Sequence, residues 1–205
     1  MRRFAAGLAL AASFGSSWAG LEEGVAAYER GAFAEALSEF RPLAEAGDPS
    51  AQNRLGHMVM QGQGVARDSE AAIRWWRKAA EKNHATAQFN LGLAYGMGAG
   101  VPRDQAQADL WLRKSAGQGL PAAQNVLAGR YALGLGVEKD ETQAAAWWRK
   151  AAEQGYAASQ FALGEAYQAG RGVERDDKEA AFWFRAAASN GHVAALDALK
   201  RLSRR

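Results

Sequence analysis

Residues 121–156 read PAAQNVLAGRYALGLGVEKDETQAAAWWRKAAEQGY, and the same pattern of residues occurs in three further copies at a spacing of 36 residues. The four copies cover residues 49–84, 85–120, 121–156 and 157–192, and no insertion separates them. A fixed period of this length indicates a repeat architecture, in which each copy buries its apolar face against its neighbours. The repeat therefore organises most of the chain.

Two amphipathic patterns of helical spacing lie within each copy. The first half places a small residue, a leucine and a tyrosine four residues apart, as in Ala87, Leu91 and Tyr95. The second half places an alanine, a tryptophan, a second large residue and a small residue at offsets of 0, 3, 4 and 7. These offsets share one face of an α-helix. Each copy is thus predicted to form a helix, a loop and a second helix.

The residues at the ends of these helices support the same interpretation. An aspartate precedes every second helix and can accept a hydrogen bond from a free amide of its first turn. Asn83, Gly119, Gly155 and Gly191 follow the second helices, where a left-handed backbone conformation would end them. The loop between the helices carries Gly-x-Gly-Val in every copy. No strand precedes it and a third glycine is missing, so turn geometry explains the glycines better than phosphate binding does.

These motifs resemble the Sel-one-like repeat, a branch of the tetratricopeptide superfamily. The resemblance covers residues 49–192 and implies an all-α, right-handed α-solenoid of tandem helix-loop-helix repeats. Members of this family serve in protein interactions and often in cell-envelope processes, and some cysteine-rich members have been described as β-lactamases. This chain has no cysteine, and therefore none of the disulfides of those members.

The segments that flank the repeats have compositions of their own. Arg2 and Arg3, an apolar run over residues 4–14 and small residues before Gly20 form the pattern of a secretory signal peptide, expected to cover residues 1–19. Export would place the protein in the periplasm of a Gram-negative host. Residues 20–48 are expected to form an N-terminal capping helix pair, bent at Pro42, and residues 193–205 a C-terminal capping helix with a basic tail.

Several classes of function find no support in the sequence. The net charge is +3, and two of those charges belong to Arg2 and Arg3, so charge does not argue for a nucleic-acid partner. After cleavage no apolar run is long enough to span a membrane. The three histidines do not converge on a metal site, no cofactor motif is present, and no nucleophile motif occurs. We therefore expect a protein that is not an enzyme and holds no cofactor or metal.

The expected function is that of an exported scaffold or adaptor that binds a protein or peptide partner on the concave surface of the solenoid. The tryptophans are assigned to the core, and the recurring Arg-Lys pairs to a solvated face with Arg77–Glu81 and Arg149–Glu153 ion pairs. The alternative is a cell-envelope module that recognises peptidoglycan or a polysaccharide. Exposed aromatic side chains would favour that alternative, and a polar groove would favour a peptide. The residues expected to contact the partner are Asn53, His57, Phe89, Leu93, Asn125, Phe161, Glu165 and Gln168.

Overall fold

The computed structural model describes residues 19–203. The predicted signal peptide therefore lies almost wholly outside the described residues. Within residues 19–203 there are eleven helices and no strand. The predicted fold class, an all-α solenoid of tandem helical hairpins, is confirmed.

The helices follow one another with short connections. The helix over residues 19–29 is α1, and the others are α2 Phe33–Glu45, α3 Pro49–Gln61, α4 Ser69–Glu81, α5 Ala85–Met97, α6 Gln105–Gly117, α7 Pro121–Leu133, α8 Glu141–Glu153, α9 Ala157–Ala169, α10 Asp177–Ser189 and α11 Val193–Leu202. The chain divides into two compact units, unit 1 up to residue 103 and unit 2 from residue 104. Unit 1 holds α1 to α5, and unit 2 holds α6 to α11. α2 continues through Pro42 to Glu45.

Aspartates cap the second helix of every copy, as the sequence predicts. Asp68, Asp104, Asp140 and Asp176 each accept a hydrogen bond from the backbone amide three residues later, at 2.9 to 3.1 Å. The predicted left-handed residues after these helices also have positive φ, from 64° at Asn83 to 93° at Gly119. Both ends of the second helices are therefore fixed by local chemistry.

The second glycine of the Gly-x-Gly loops at residues 62–64 and 98–100 has a role that the turn alone does not require. A Cβ on Gly64 would lie 2.7 Å from the carbonyl oxygen of Phe33, the first residue of α2. A Cβ on Gly100 would lie 2.6 Å from the carbonyl oxygen of Ser69, at the start of α4. The loop of one repeat thus rests on the start of the preceding second helix, and a side chain there would push the two apart.

Leucines and alanines fill the core of each unit, and small residues let aromatic rings come close. Leu55, Leu91, Leu127 and Leu163, which share one repeat position, are at most 2% exposed. A Cβ on Gly56 would lie 2.7 Å from the Trp76 ring, and one on Gly164 would lie 2.7 Å from the Phe184 ring. Trp76 and Trp183 are buried as predicted, whereas the other helical tryptophans are half-buried.

Buried glutamines join successive helical hairpins. Each Nε2 donates to the backbone oxygen of an alanine eight residues earlier, at 3.0 to 3.3 Å, in the last turn of the preceding helix. Because a buried amide needs partners, the bond fixes the angle at which one hairpin follows another. The four residues are Gln52, Gln88, Gln124 and Gln160.

Candidate functional site

An open groove lies on unit 1, between helices α1, α3 and α5. Its volume is about 460 Å³. We call it the unit 1 groove; it is lined by Tyr28, Ser50, Asn53, Arg54, His57, His84, Thr86 and Asn90. No aspartate or glutamate is among these side chains. Every lining side chain can therefore form hydrogen bonds, and one of them is a cation.

Two asparagines form a fixed pair in the groove. Asn90 Nδ2 donates to Asn53 Oδ1 at 3.1 Å, which joins α5 to α3. The indole Nε1 of Trp76 donates to the backbone oxygen of Asn53 at 3.2 Å and so holds this part of α3 from the other side. The pair leaves the Asn53 amide group free to donate and the Asn90 amide oxygen free to accept, which is the complement of a peptide group.

His57 lies one helical turn after Asn53 and meets a tyrosine from α1. Tyr28 Oη is 3.4 Å from His57 Nδ1 and donates to Gln63 Oε1 at 3.1 Å. The Tyr28 and His57 rings also meet edge to face, with centroids 6.2 Å apart. Burial lowers the pKa of His57 below its ordinary value, because the charged imidazolium loses solvation. A neutral His57 can both donate and accept hydrogen bonds.

His84 has a structural task at the edge of the groove. It is the N-cap of α5, and its Nδ1 accepts from the backbone amide of Ala87 at 3.2 Å. Burial lowers the pKa of His84, Asp48 opposes this by attraction, and Arg54 adds to it by repulsion. The capping bond needs an unprotonated Nδ1, so burial and the cap favour the same neutral form.

Arg54 is the one cation among the lining residues. Its guanidinium lies 5.7 Å from the centroid of the Phe40 ring, an arrangement in which a cation is attracted to the aromatic face. Within residues 19–203 no carboxylate forms an ion pair with Arg54. The residue is half-buried, so its charge is only partly screened by water.

The groove brings together two of the residues expected to contact a partner, Asn53 and His57. Phe89 and Leu93, expected on the same surface, are half-buried on α5 and do not line the groove. Sequence reasoning missed Arg54, although a signal was available. Arg54 shares its repeat position with Asn90, Val126 and Ala162, so an arginine there is a departure from the pattern.

The other expected contact residues lie in unit 2. Asn125 accepts a hydrogen bond from the Ser159 hydroxyl at 2.9 Å. Phe161 stacks on His192 with centroids 4.3 Å apart and packs against Phe184 at 5.5 Å, so this ring fills space between helices. Glu165 is exposed and Gln168 is half-buried. Whether these positions meet a partner stays a prediction.

The recurring Arg-Lys pairs are used differently from the sequence prediction. Arg77 donates to the Tyr95 hydroxyl at 2.8 Å, and Arg149 bonds the Tyr167 hydroxyl. The predicted ion pairs of these arginines with Glu81 and Glu153 are wrong. Each arginine instead bonds a tyrosine 18 residues later, in the next repeat. The sequence of a single helix does not show that this tyrosine lies near. The lysines sit 4.0 to 4.4 Å from the centroids of Trp75, Trp111 and Trp147.

Residues 19–203 contain neither a cluster of metal ligands nor a helix suited to crossing a membrane. No group of three or more histidine, aspartate or glutamate side chains in this part of the chain is arranged to hold a metal ion. No helix in the same range combines the length and apolar character needed to cross a membrane.

Known structures share this architecture. A Sel1 repeat protein from Oxalobacter formigenes matches with a TM-score of 0.79 and 36% identity, over 83% of this chain and 49% of its own. A protective antigen of uropathogenic Escherichia coli strains that displays an SLR fold matches with a TM-score of 0.82 and 34% identity, over 92% of this chain and 41% of its own. Helicobacter pylori cysteine rich protein B matches at 0.53 and 25% identity, over 65% of this chain and 96% of its own.

The chain thus spans about half or less of the length of the first two of these proteins. No curated protein matches it. The family model of the Sel1 repeat matches residues 49–84, 85–120, 121–156 and 157–192, the windows of the internal repeat. With its hairpins, capping residues and glutamine bonds repeated in register over those residues, the chain belongs to the Sel1 repeat family.

Proposed function

We propose that this protein is a non-catalytic scaffold that binds a partner protein through an extended segment lying in the unit 1 groove. Sel1 repeat proteins are generally protein–protein interaction scaffolds. The observation that carries the proposal is the Asn53–Asn90 pair in the groove, which leaves one amide donor and one amide acceptor unused. A peptide backbone presents the matching groups at every residue.

A peptide fits the groove better than a polysaccharide does. Sugar rings are commonly held by stacking on exposed aromatic faces, and Tyr28 is the one tyrosine, tryptophan or phenylalanine among the lining residues. Its hydroxyl is engaged with Gln63, and its ring meets His57 and Phe33 edge to face. The remaining lining side chains offer hydrogen bonds and charge.

The contacts of the groove also support a role without catalysis. A hydroxyl nucleophile needs a base within hydrogen-bond reach and a third group that orients the base. Ser50 lines the groove, but no hydrogen bond in the described part of the chain joins it to either histidine. His57 Nδ1 faces Tyr28, and His84 Nδ1 accepts the capping amide. The Nδ1 atom of each imidazole is thus engaged in another contact.

Site-specific crosslinking tests the groove directly. Benzoylphenylalanine placed at Thr86, in the groove, should form a covalent adduct with the partner on illumination in cells. The same group placed at Arg74, whose side chain is 61% exposed and lies outside the groove, should not. Adducts at Arg74 alone would move the binding surface to α4.

A pair of matched variants then asks which unit binds. The groove variant changes Asn53, His57 and Asn90 to alanine. The control changes Asn125 and Glu165, which occupy the repeat positions of Asn53 and His57 in unit 2. Loss of the Thr86 adduct in the groove variant alone would support the proposal. Loss in the control alone would refute it, and recovery of glycan fragments in place of a protein would favour the envelope-polymer alternative.

We also propose that the protein acts after export. The support is the residue pattern of residues 1–19. The full chain expressed in Escherichia coli should be found in the periplasmic fraction with Gly20 as its first residue. Changing Leu8 and Leu10 to arginine should leave the uncleaved chain in the cytoplasm. A wild-type chain that keeps residues 1–19 in the cytoplasm would refute export.

A further inference from the structure

The lining of the unit 1 groove departs from the rest of the repeat array. At the position of Ser50 the next copies have Thr86, Ala122 and Ala158, and at the position of Arg54 they have Asn90, Val126 and Ala162. The polar members belong to the first two copies and line the groove, whereas the last two copies have small or apolar residues there. The core leucine beside them is the same in all four copies.

The four copies differ at these two positions but form the same helices. The copies with alanine and valine form the same thirteen-residue helices as the copies with serine and arginine. The repeat fold therefore does not require the polar set. A half-buried arginine held in a groove without an ion-pair partner is unfavourable in isolation, because its charge has lost part of its hydration. An oppositely charged ligand would restore that interaction.

The acidic residue that acts on the groove is also consistent with an acidic ligand. The negative charge of Asp48 reaches one lining residue, because it opposes the lowering of the His84 pKa. Its carboxylate is committed to the N-cap of α3, where Oδ1 accepts from the Ala51 amide at 2.7 Å. The lining residues thus include one cation, which no carboxylate of residues 19–203 meets in an ion pair, beside donors from asparagine, histidine and hydroxyl side chains.

We infer that the unit 1 groove recognises an acidic segment of polypeptide, with Arg54 pairing to a glutamate or aspartate carboxylate and the Asn53–Asn90 pair bonding the adjacent peptide group. The inference rests on the proposed function and adds the chemical class of the ligand. Arg54 is the residue that sets specificity, because a guanidinium and a carboxylate form charge-assisted hydrogen bonds that an amide side chain does not replace.

Fluorescence anisotropy with defined probes tests this inference. The probes are three labelled twelve-residue peptides that differ only in carrying four glutamates, four glutamines or four lysines among alanine, serine and glycine. Single-stranded oligothymidylate of twelve nucleotides serves as the phosphate-bearing competitor. The full chain should bind the glutamate peptide at least about tenfold more tightly than the glutamine peptide, the range of a charged hydrogen bond.

Three variants assign the selectivity to Arg54. Arg54→Gln should reduce the preference for glutamate to about twofold or less, while Arg54→Lys should keep part of it because the charge remains although the planar guanidinium is lost. Arg67→Gln removes a charge from an exposed residue of unit 1 that does not line the groove, and should leave the preference unchanged. Circular dichroism establishes that each variant is folded, and Arg54→Val, which copies Val126, provides a second folded test.

Several outcomes would overturn the inference. Equal binding of the glutamate and glutamine peptides, a preference that survives Arg54→Gln, tighter binding of the oligonucleotide, or no binding of any peptide would each do so. The crosslinking result distinguishes failure of this inference from failure of the proposed function. If the Thr86 adduct persists in Arg54→Gln, the groove binds a partner without reading its charge, and if the adduct never forms, the groove is not the binding surface.

Discussion

Arg130 and Asp109 form an ion pair in a place where other repeats have no charge. Arg130 Nε lies 2.6 Å from Asp109 Oδ1, and the two side chains are 11% and 13% exposed. The N–H does not point at the carboxylate oxygen, so the contact is mainly between charges. Arg130 also donates to Gln105 Oε1 at 2.8 Å. One repeat later the same positions hold Ala145 and Ala166, both buried.

Arg130→Ala should therefore destabilise the protein strongly. The substitution leaves Asp109 nearly buried without its partner, and removing one member of such a pair costs about 3 to 5 kcal/mol. The double variant Asp109→Ala with Arg130→Ala copies the alanine pair of the next repeat. Replacing both members of a buried pair is often neutral or stabilising, so most of the loss should be recovered.

Urea unfolding followed by circular dichroism and tryptophan fluorescence measures both effects. The two signals should give one transition before a free energy of unfolding is assigned, because repeat arrays can unfold in parts. A coupling energy of about 2 kcal/mol or more between the two sites is expected from the double-mutant cycle. A single variant that loses less than about 1 kcal/mol, or a double variant as unstable as Arg130→Ala, would refute the reasoning.

Four other substitutions test separate parts of the fold by their thermal or urea midpoints. Gly164→Ala places a Cβ 2.7 Å from the Phe184 ring and should cost about 1 to 3 kcal/mol. Gly129→Ala, in a helix with open space around the added Cβ, should instead gain about 0.5 to 1 kcal/mol. Gln160→Leu removes the bond between hairpins and should cost about 1 kcal/mol. Because folding lowers the pKa of His84 from 6.5, the unfolded chain binds more protons, and stability should fall as pH drops below 6.5. His84→Asn keeps a capping oxygen and should show a smaller loss between pH 7 and pH 5.

The fold followed from the sequence because its signals are local and are repeated. An aspartate before a helix and a glycine or asparagine after it act through neighbouring backbone groups, and four copies in register remove the ambiguity of one. The same is true of the small residue that faces a large apolar one, as Gly56 faces Trp76 and Gly164 faces Phe184, since all four copies keep this spacing between a small and a large residue. Local chemistry of this kind can be read before any contact is known.

The groove was predicted only in part, because its members come from three helices. Asn53 and His57 were identified by their departure from the core pattern of one helix. Tyr28 lies in α1, outside the repeats, and its approach to His57 depends on how the first hairpin packs. The Arg77–Tyr95 bond was missed for a similar reason. In the sequence, an acidic residue four positions away is the expected partner of Arg77, whereas the tyrosine comes near only when the hairpins pack. Contacts between hairpins require the packing geometry.

The Arg130–Asp109 ion pair also affects how well the protein tolerates the deletion of one repeat. Removing residues 121–156 joins Leu120 to Ala157 in register, so that α6 would be followed by α9 as it is now by α7. Nearest-neighbour packing predicts that such a chain still folds. The deletion removes Arg130, however, and places Ala166 opposite Asp109. The shortened chain should therefore be less stable by about 3 to 5 kcal/mol than the same deletion carrying Asp109→Ala. Urea unfolding of the two shortened chains measures the difference. Equal midpoints would show that Asp109 reaches water once its partner is gone, and that the pair contributes little to the packing of unit 2.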